Sequence, residues 1–145
     1  MNPTDSMAER LREAVLTMPM AQTLKLGLRR IEPGHVELEM PIQEAWCFRP
    51  GQLQAAAVFA AADFAAVAAA ATLLPPGFIN ATIDGTLKIL APARGSQLVA
   101  RGRVVHAARL LTVCAAEVFA VDDGNETLCA TWLGTARNID TAGRP

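Results

Sequence analysis

The sequence predicts an α+β domain in which an antiparallel β-sheet wraps around one long central helix. Three observations carry this. Residues 52–74 hold the longest helix candidate, with alanine, the strongest helix former, at twelve of the seventeen positions from Ala55 to Ala71. Stretches of alternating apolar and polar residues stand before and after it. The order is helix, two strands, long helix, four strands. Without β-α-β alternation, a doubly wound parallel sheet is not expected.

The elements follow in chain order. Residues 7–18 form a short helix with Leu11, Val15 and Met18 on one stripe, capped by Asp5 or Ser6 and ended by Pro19. Leu24, Leu26 and Leu28 alternate with Lys25 and Arg29, which predicts a strand over residues 23–31. Glu32-Pro33-Gly34-His35 is a turn, and Val36, Leu38 and Met40 alternate with Glu37 and Glu39 in the strand that returns. Residues 41–51 form a loop whose Trp46 and Phe48 are expected to pack on something. The central helix ends at Leu74-Pro75-Pro76-Gly77, because proline disfavours helix at the residue before it. Strands then run over residues 79–89, 98–107, 110–121 and 127–138, with Asp122-Asp123-Gly124-Asn125 as a hairpin turn. The whole of 1–145 reads as a single domain, with an N-terminal helix in 1–20, the central helix in 52–74 and a flexible tail over 139–145.

Composition narrows the functional classes. The net charge is −1 and there is no basic run, so the chain lacks an electrostatic footprint for nucleic acid. Cys47, Cys114 and Cys129 are an odd number outside any metal-like spacing, and His35 and His106 are scattered. Reduced core thiols and no metal site are expected, and nothing calls for a cofactor. The N-terminal residues mix acids and bases and lack the apolar core of a signal peptide, so a cytoplasmic location is expected. The alanine helix has the length of a membrane span. A central aspartate costs about 2.5–3.5 kcal/mol on insertion scales, however, and no membrane association is expected.

That aspartate is the residue of interest. Asp63 is the lone charge of the central helix, with Phe59 four residues before it and Val67 four after, on one face. Its neighbours offer no counter-charge. Burial there raises a carboxyl pKa and makes the carboxylate a stronger base, whereas a structural carboxylate bonded to backbone or a partner chain is the alternative.

From Phe48 to Asp63 the chain reads F-R-P-G-Q-L-Q-A-A-A-V-F-A-A-A-D. This resembles the signature N-x-x-G-x-x-H-G-G-x-x-x-x-L-A-D of the hotdog-fold thioesterase superfamily, specifically the PaaI-like (phenylacetate-type) acyl-CoA thioesterases. Residues 82–92 (TIDGTLKILAP), Gly95 and residues 109–113 (RLLTV) are similar to that family's later strands. Gly51 and Asp63 keep the family residues; Phe48 replaces the asparagine, Gln54 the histidine, and Ala55-Ala56 the glycine pair.

The resemblance implies a hotdog fold over the whole chain and hydrolysis of an acyl-CoA thioester to acid and thiol. It gives Asp63 the role of general base or nucleophile, and the amides of Ala55 and Ala56 at the helix start that of oxyanion donors, which the unpaired first amides of a helix suit. Gln54 takes the histidine's place, able to donate but not to titrate. Thr82 is a candidate for positioning water, Phe48 and Gly51 for lining the acyl site, and Arg109 for meeting the coenzyme A phosphates. The resemblance also implies a homodimer, and a dimer of dimers is open. The rival readings are a non-catalytic hotdog protein that binds acyl-CoA or fatty acid, with a degenerate site at Phe48 and Gln54, and a structural protein with a filled pocket.

Overall fold

A computed structural model describes residues 2–142. Helix α1 (Pro3–Leu16) and helix α2 (Pro19–Thr23) precede the strands β1 (Gly27–Glu32) and β2 (His35–Pro41). A 3-10 turn at Glu44–Trp46 leads into a small hairpin of β3 (Cys47–Arg49) and β4 (Gln52–Leu53), and then into the central helix α3 (Ala55–Ala71). Strands β5 (Phe78–Ile89), β6 (Gln97–Ala107), β7 (Leu111–Asp122) and β8 (Asn125–Asp140) complete the chain. Six strands form one antiparallel sheet in the order β1-β2-β6-β7-β8-β5. The strand that follows the helix thus lies at the far edge, and α3 runs across the sheet's concave face.

Alternation decides which side of each strand faces the helix. Val36, Leu38 and Met40 of β2, Leu98 and Ala100 of β6, and Cys114, Ala116 and Val118 of β7 are buried. Across from them, Ala61, Ala62, Ala65, Ala66 and Ala69 have no solvent exposure. Side chains this small let helix backbone touch sheet backbone. A Cβ added to Gly102 of β6 would collide with the Ala65 carbonyl. At the other end of the sheet, Trp132 lies over Gly85 and Gly134, where an added Cβ would strike its indole, and it meets Phe59 of α3 edge to face at 5.9 Å.

The α+β layout, the β1–β2 hairpin and the hairpin turn before β8 agree with expectation; Asp123 and Gly124 both take positive φ, as a tight two-residue turn requires. Several boundaries differ. Asn2, not Asp5 or Ser6, caps α1, accepting from the Asp5 amide at 2.9 Å. Pro19 opens α2 instead of only ending α1, because its missing N–H costs nothing in a first helical turn. The strand expected from residue 23 therefore begins at Gly27, although Leu24 and Leu26 are buried as their pattern implied. The helix expected over 52–74 is Ala55–Ala71, since Gln52 and Leu53 pair with the preceding strand. Trp46 packs against the core, but Phe48 is 58 % exposed. The tail expected from 139 is paired at its start: Ile139 and Asp140 face Ile79 and Phe78 across β5, while residues 143–145 lie outside the described residues.

No described helix is long and apolar enough to cross a membrane. Substituting Gly102 by alanine tests the close approach directly. The collision with the Ala65 carbonyl should destabilise the fold by about 1–3 kcal/mol, read as a lowered Tm, whereas a neutral substitution would mean that the helix is free to move away.

Candidate active site

Asp63 sits midway along α3, half-buried, on the side of the helix that faces β5. Thr82 of β5 reaches it: its hydroxyl donates to Asp63 Oδ1 at 2.7 Å. Two residues earlier on the same strand, Asn80 donates its amide to the Val67 carbonyl at 3.0 Å, one turn further along α3. These two bonds fix β5 against the helix. Between them and α1 lies a cleft of about 470 Å³, bordered by Asp63 and Thr82 at one end.

Burial raises the pKa of Asp63 above its ordinary value of 3.8, and the Thr82 hydroxyl partly offsets this by donating to the charged form. No Lys or Arg figures among the causes of that shift. One carboxylate oxygen is engaged by Thr82, whose hydroxyl donates to it at 2.7 Å.

The helix start is a separate place in the same chain. Gln54 lies nine residues from Asp63, roughly 13 Å along the helix axis. Gln54 is the N-cap residue but makes no side-chain capping bond, and its own amide donates to the Trp46 carbonyl at 2.8 Å. The first amide with a helical partner is that of Ala57, at 3.0 Å from the Gln54 carbonyl, so the exposed Ala55 and Ala56 stand where helix amides are left to point outward. Phe48, Gln54 and Ala55 line a second cleft, of about 490 Å³, with Ile89 and Leu90 from the far end of β5. Ala56 lines a third, of about 310 Å³, beside Trp46 and Cys47.

The structure therefore brings Asp63 and Thr82 together, and Phe48, Gln54 and Ala55 together, but not the two groups within one chain. Gly51 lies in the β3–β4 turn with φ +74, where any side chain would be strained; its place in the motif is a backbone matter. Arg109 stands in the β6–β7 turn and lines neither cleft; its carbonyl accepts from Asn138 at 3.2 Å. Arg101 is held on the outer face of the sheet by Glu37 at 2.9 Å and by both oxygens of Glu126.

Sequence reasoning missed Asn80 and the α1 residues that wall the cleft. Asn80 stands two residues before Thr82 on the same strand face, and that spacing is the signal available in the sequence. The two buried thiols, Cys114 and Cys129, offer no nucleophile. Burial pushes Cys114 and Cys129 up to about 11, so both are protonated at neutral pH. Among the described residues no group of three or more His, Cys, Asp or Glu is placed to hold a metal ion.

The raised pKa of Asp63 carries a stability consequence with a definite sign. Below 3.8 the carboxyl is protonated in both folded and unfolded chains and has no cost; as pH rises through its folded value, the folded chain alone bears the desolvation of the charge. Asp63→Asn should therefore raise Tm at pH 8, with the difference shrinking as pH falls and vanishing only below 3.8, measured by thermal melts down through that value.

Known proteins resemble this chain in sequence and in fold. The sequence model of the thioesterase superfamily matches residues 52–127, the stretch from the helix-start hairpin to the beginning of β8. The structure resembles that of a thioesterase family protein from Silicibacter pomeroyi, 31 % identical, with a TM-score of 0.89 over 92 % of this chain and 98 % of that one. The same fold occurs in a thioesterase from Haemophilus influenzae (19 % identity, TM-score 0.81, 94 % and 92 % of the two chains). It occurs again in the PaaI protein of the phenylacetic acid degradation operon of E. coli (16 % identity, TM-score 0.82, 95 % and 96 %). No curated protein matches the sequence. By its fold, the matched stretch and the similarity to the Silicibacter protein, the chain belongs to the hotdog-fold thioesterase superfamily.

Proposed function

We propose that the protein hydrolyses acyl-CoA thioesters, with Asp63 as general base in a site completed by a second copy of the chain. The observation that carries this is the Asp63–Thr82 pair, a base of raised pKa opening onto an apolar cleft. Water held between Asp63 and the thioester attacks the carbonyl carbon while its proton passes to Asp63. The tetrahedral oxyanion is met by the amides at the start of α3, the C–S bond breaks, and the proton on Asp63 returns to the leaving thiolate.

Within one chain those amides are too far from Asp63, so the partner must supply them. The edge of β5 that does not face β8 has no strand partner in the sheet, and Ile79, Ile83 and Ile89 along that strand are all exposed. An unpaired apolar edge of this length is an association site. Antiparallel pairing of β5 with its copy lays residues 78–82, which border the Asp63 cleft, beside the far end of the partner's β5, where Ile89 lines the helix-start cleft. Each Asp63 then faces the other chain's Gln54, Ala55 and Phe48. Gln54 orients the carbonyl or the water, and Phe48 contacts the apolar acyl or pantetheine chain.

A second reading, acyl-CoA binding without hydrolysis, is favoured by Phe48 and Gln54, which stand where the superfamily motif has asparagine and histidine. The two readings separate in one experiment. In thiol-release assays over acyl-CoAs, Asp63→Ala should lower kcat by about 10²–10⁴ without dissolving the dimer. Unchanged turnover rules out Asp63 as base, and calorimetric binding without any thiol release supports the second reading.

The shared site makes a further demand. Ala55→Pro removes a helix-start amide at a position that tolerates proline, and should lower kcat by about 10²–10³. Mixed dimers of Asp63→Ala and Ala55→Pro chains should recover activity, because one of their two sites carries neither change. Recovery absent from correctly mixed dimers would place base and donor in the same chain. Thr82→Val removes the bond that lowers the Asp63 pKa, so the acid limb of the kcat/KM profile should move to higher pH.

A further inference from the structure

We infer that helix α1 is the outer wall of the acyl-chain site, and that the preferred substrate carries an extended apolar acyl group of medium length. The inference rests on the hydrolytic reading above and names the part of the substrate that the Asp63 cleft holds.

The cleft runs between two helices. On its inner side Asp63, Phe64, Val67, Ala68 and Ala71 follow one another at helical spacing along α3. Asp63 and Thr82 are the polar end; along α3 the lining residues from Phe64 onward are apolar, and Asn80 and Arg10 are the other polar residues of the lining. From Asp63 to Ala71 the helix rises about 12 Å, a distance spanned by an extended chain on the order of eight to ten carbons. The floor comes from the segment that joins α3 to β5, and the volume of about 470 Å³ suits a small organic ligand.

The outer side is α1. Leu11 and Val15 seat it in a small satellite core with Val36, Ala68 and Ala69. Met7 and Ala14 border the cleft from the same helix, and Met18 from the residue that caps α2, without being buried in that core. Methionine side chains adapt to the shape they enclose, and Ala14 is small where a larger side chain would close the gap. Arg10 marks the rim, its guanidinium accepted by the Ser6 hydroxyl at 2.8 Å. A thioester carbonyl held at Asp63 has its acyl chain directed along α3 beneath α1, while the thiol side leaves toward the partner's helix start.

The test uses a variant that adds volume at an exposed position. With acyl-CoAs from acetyl to hexadecanoyl, kcat/KM of the natural chain should rise about two- to fourfold per methylene up to eight to ten carbons and then level or fall. Ala14→Trp should lower kcat/KM for decanoyl-CoA at least tenfold and leave that for butyryl-CoA within twofold. An equal loss at every chain length, or an unchanged decanoyl value, overturns the assignment. Hydrolysis-inert S-decyl-CoA and S-butyl-CoA thioethers separate this from the catalytic reading. If no acyl-CoA is hydrolysed but S-decyl-CoA binds more weakly to Ala14→Trp than to the natural chain, with S-butyl-CoA unaffected, the cleft assignment stands and the hydrolytic reading falls. If the two thioethers bind alike to both proteins, the cleft assignment falls, whatever the turnover.

Discussion

The fold depends on how closely α3 can approach the sheet. Helix and strand backbones meet where Gly102 faces the Ala65 carbonyl, and alanines, with Val58, fill the buried positions along that side. Small side chains bury little area each, so cohesion comes from close, continuous packing and from the few large residues at the margins, Trp132, Phe59, Leu38 and Met40. A helix held this near the sheet leaves no room for water beneath it. Asp63 escapes full burial because it points sideways, past the sheet's edge strand, where Thr82 can reach it. The raised pKa of the acid and the rigidity of its support are two results of one packing arrangement.

Much of this was legible in the sequence. The alanine run marks the helix and Asp63 within it; alternation marks the strands over residues 23–31, 36–40 and 79–89, and turn residues such as Asp122-Asp123-Gly124-Asn125 separate the later ones. The fold class and the superfamily followed from those and from the motif between Phe48 and Asp63. What the sequence blurred were boundaries set by non-local partners. Gln52 and Leu53 have acceptable helix propensity but pair with residues 47–49. The Pro19–Thr23 segment alternates poorly for a strand and turns helical because proline suits a first turn. At the site, Asp63 was visible as an isolated charge, whereas its bond to Thr82 spans nineteen residues and depends on β5 crossing to the far edge of the sheet. The wall contributed by α1 had no sequence signal at all, because Met7 and Ala14 read simply as helix surface.

The two groups of site residues also illustrate how a chain can carry a motif that it does not assemble alone. The spacing from Gly51 to Asp63 looks like a single local constellation. On a helix of this length it is two, one at the N-terminal amides and one more than two turns away. Local spacing encodes the distance between them, and the open edge of β5 offers the route by which the halves of two chains can be joined.

The contrast between the two long helices has a consequence for how such proteins diversify. The sheet-facing side of α3 is confined: larger side chains there meet backbone, and shorter ones cannot be found below alanine without glycine's cost in helix stability. Helix α1 is seated on the rest of the molecule through Leu11, Val15 and Leu16. A lineage exploring new substrates can therefore rewrite the lining residues of α1 almost freely while α3 stays frozen. Relatives should differ in the first twenty residues far more than their shared chemistry would lead one to expect.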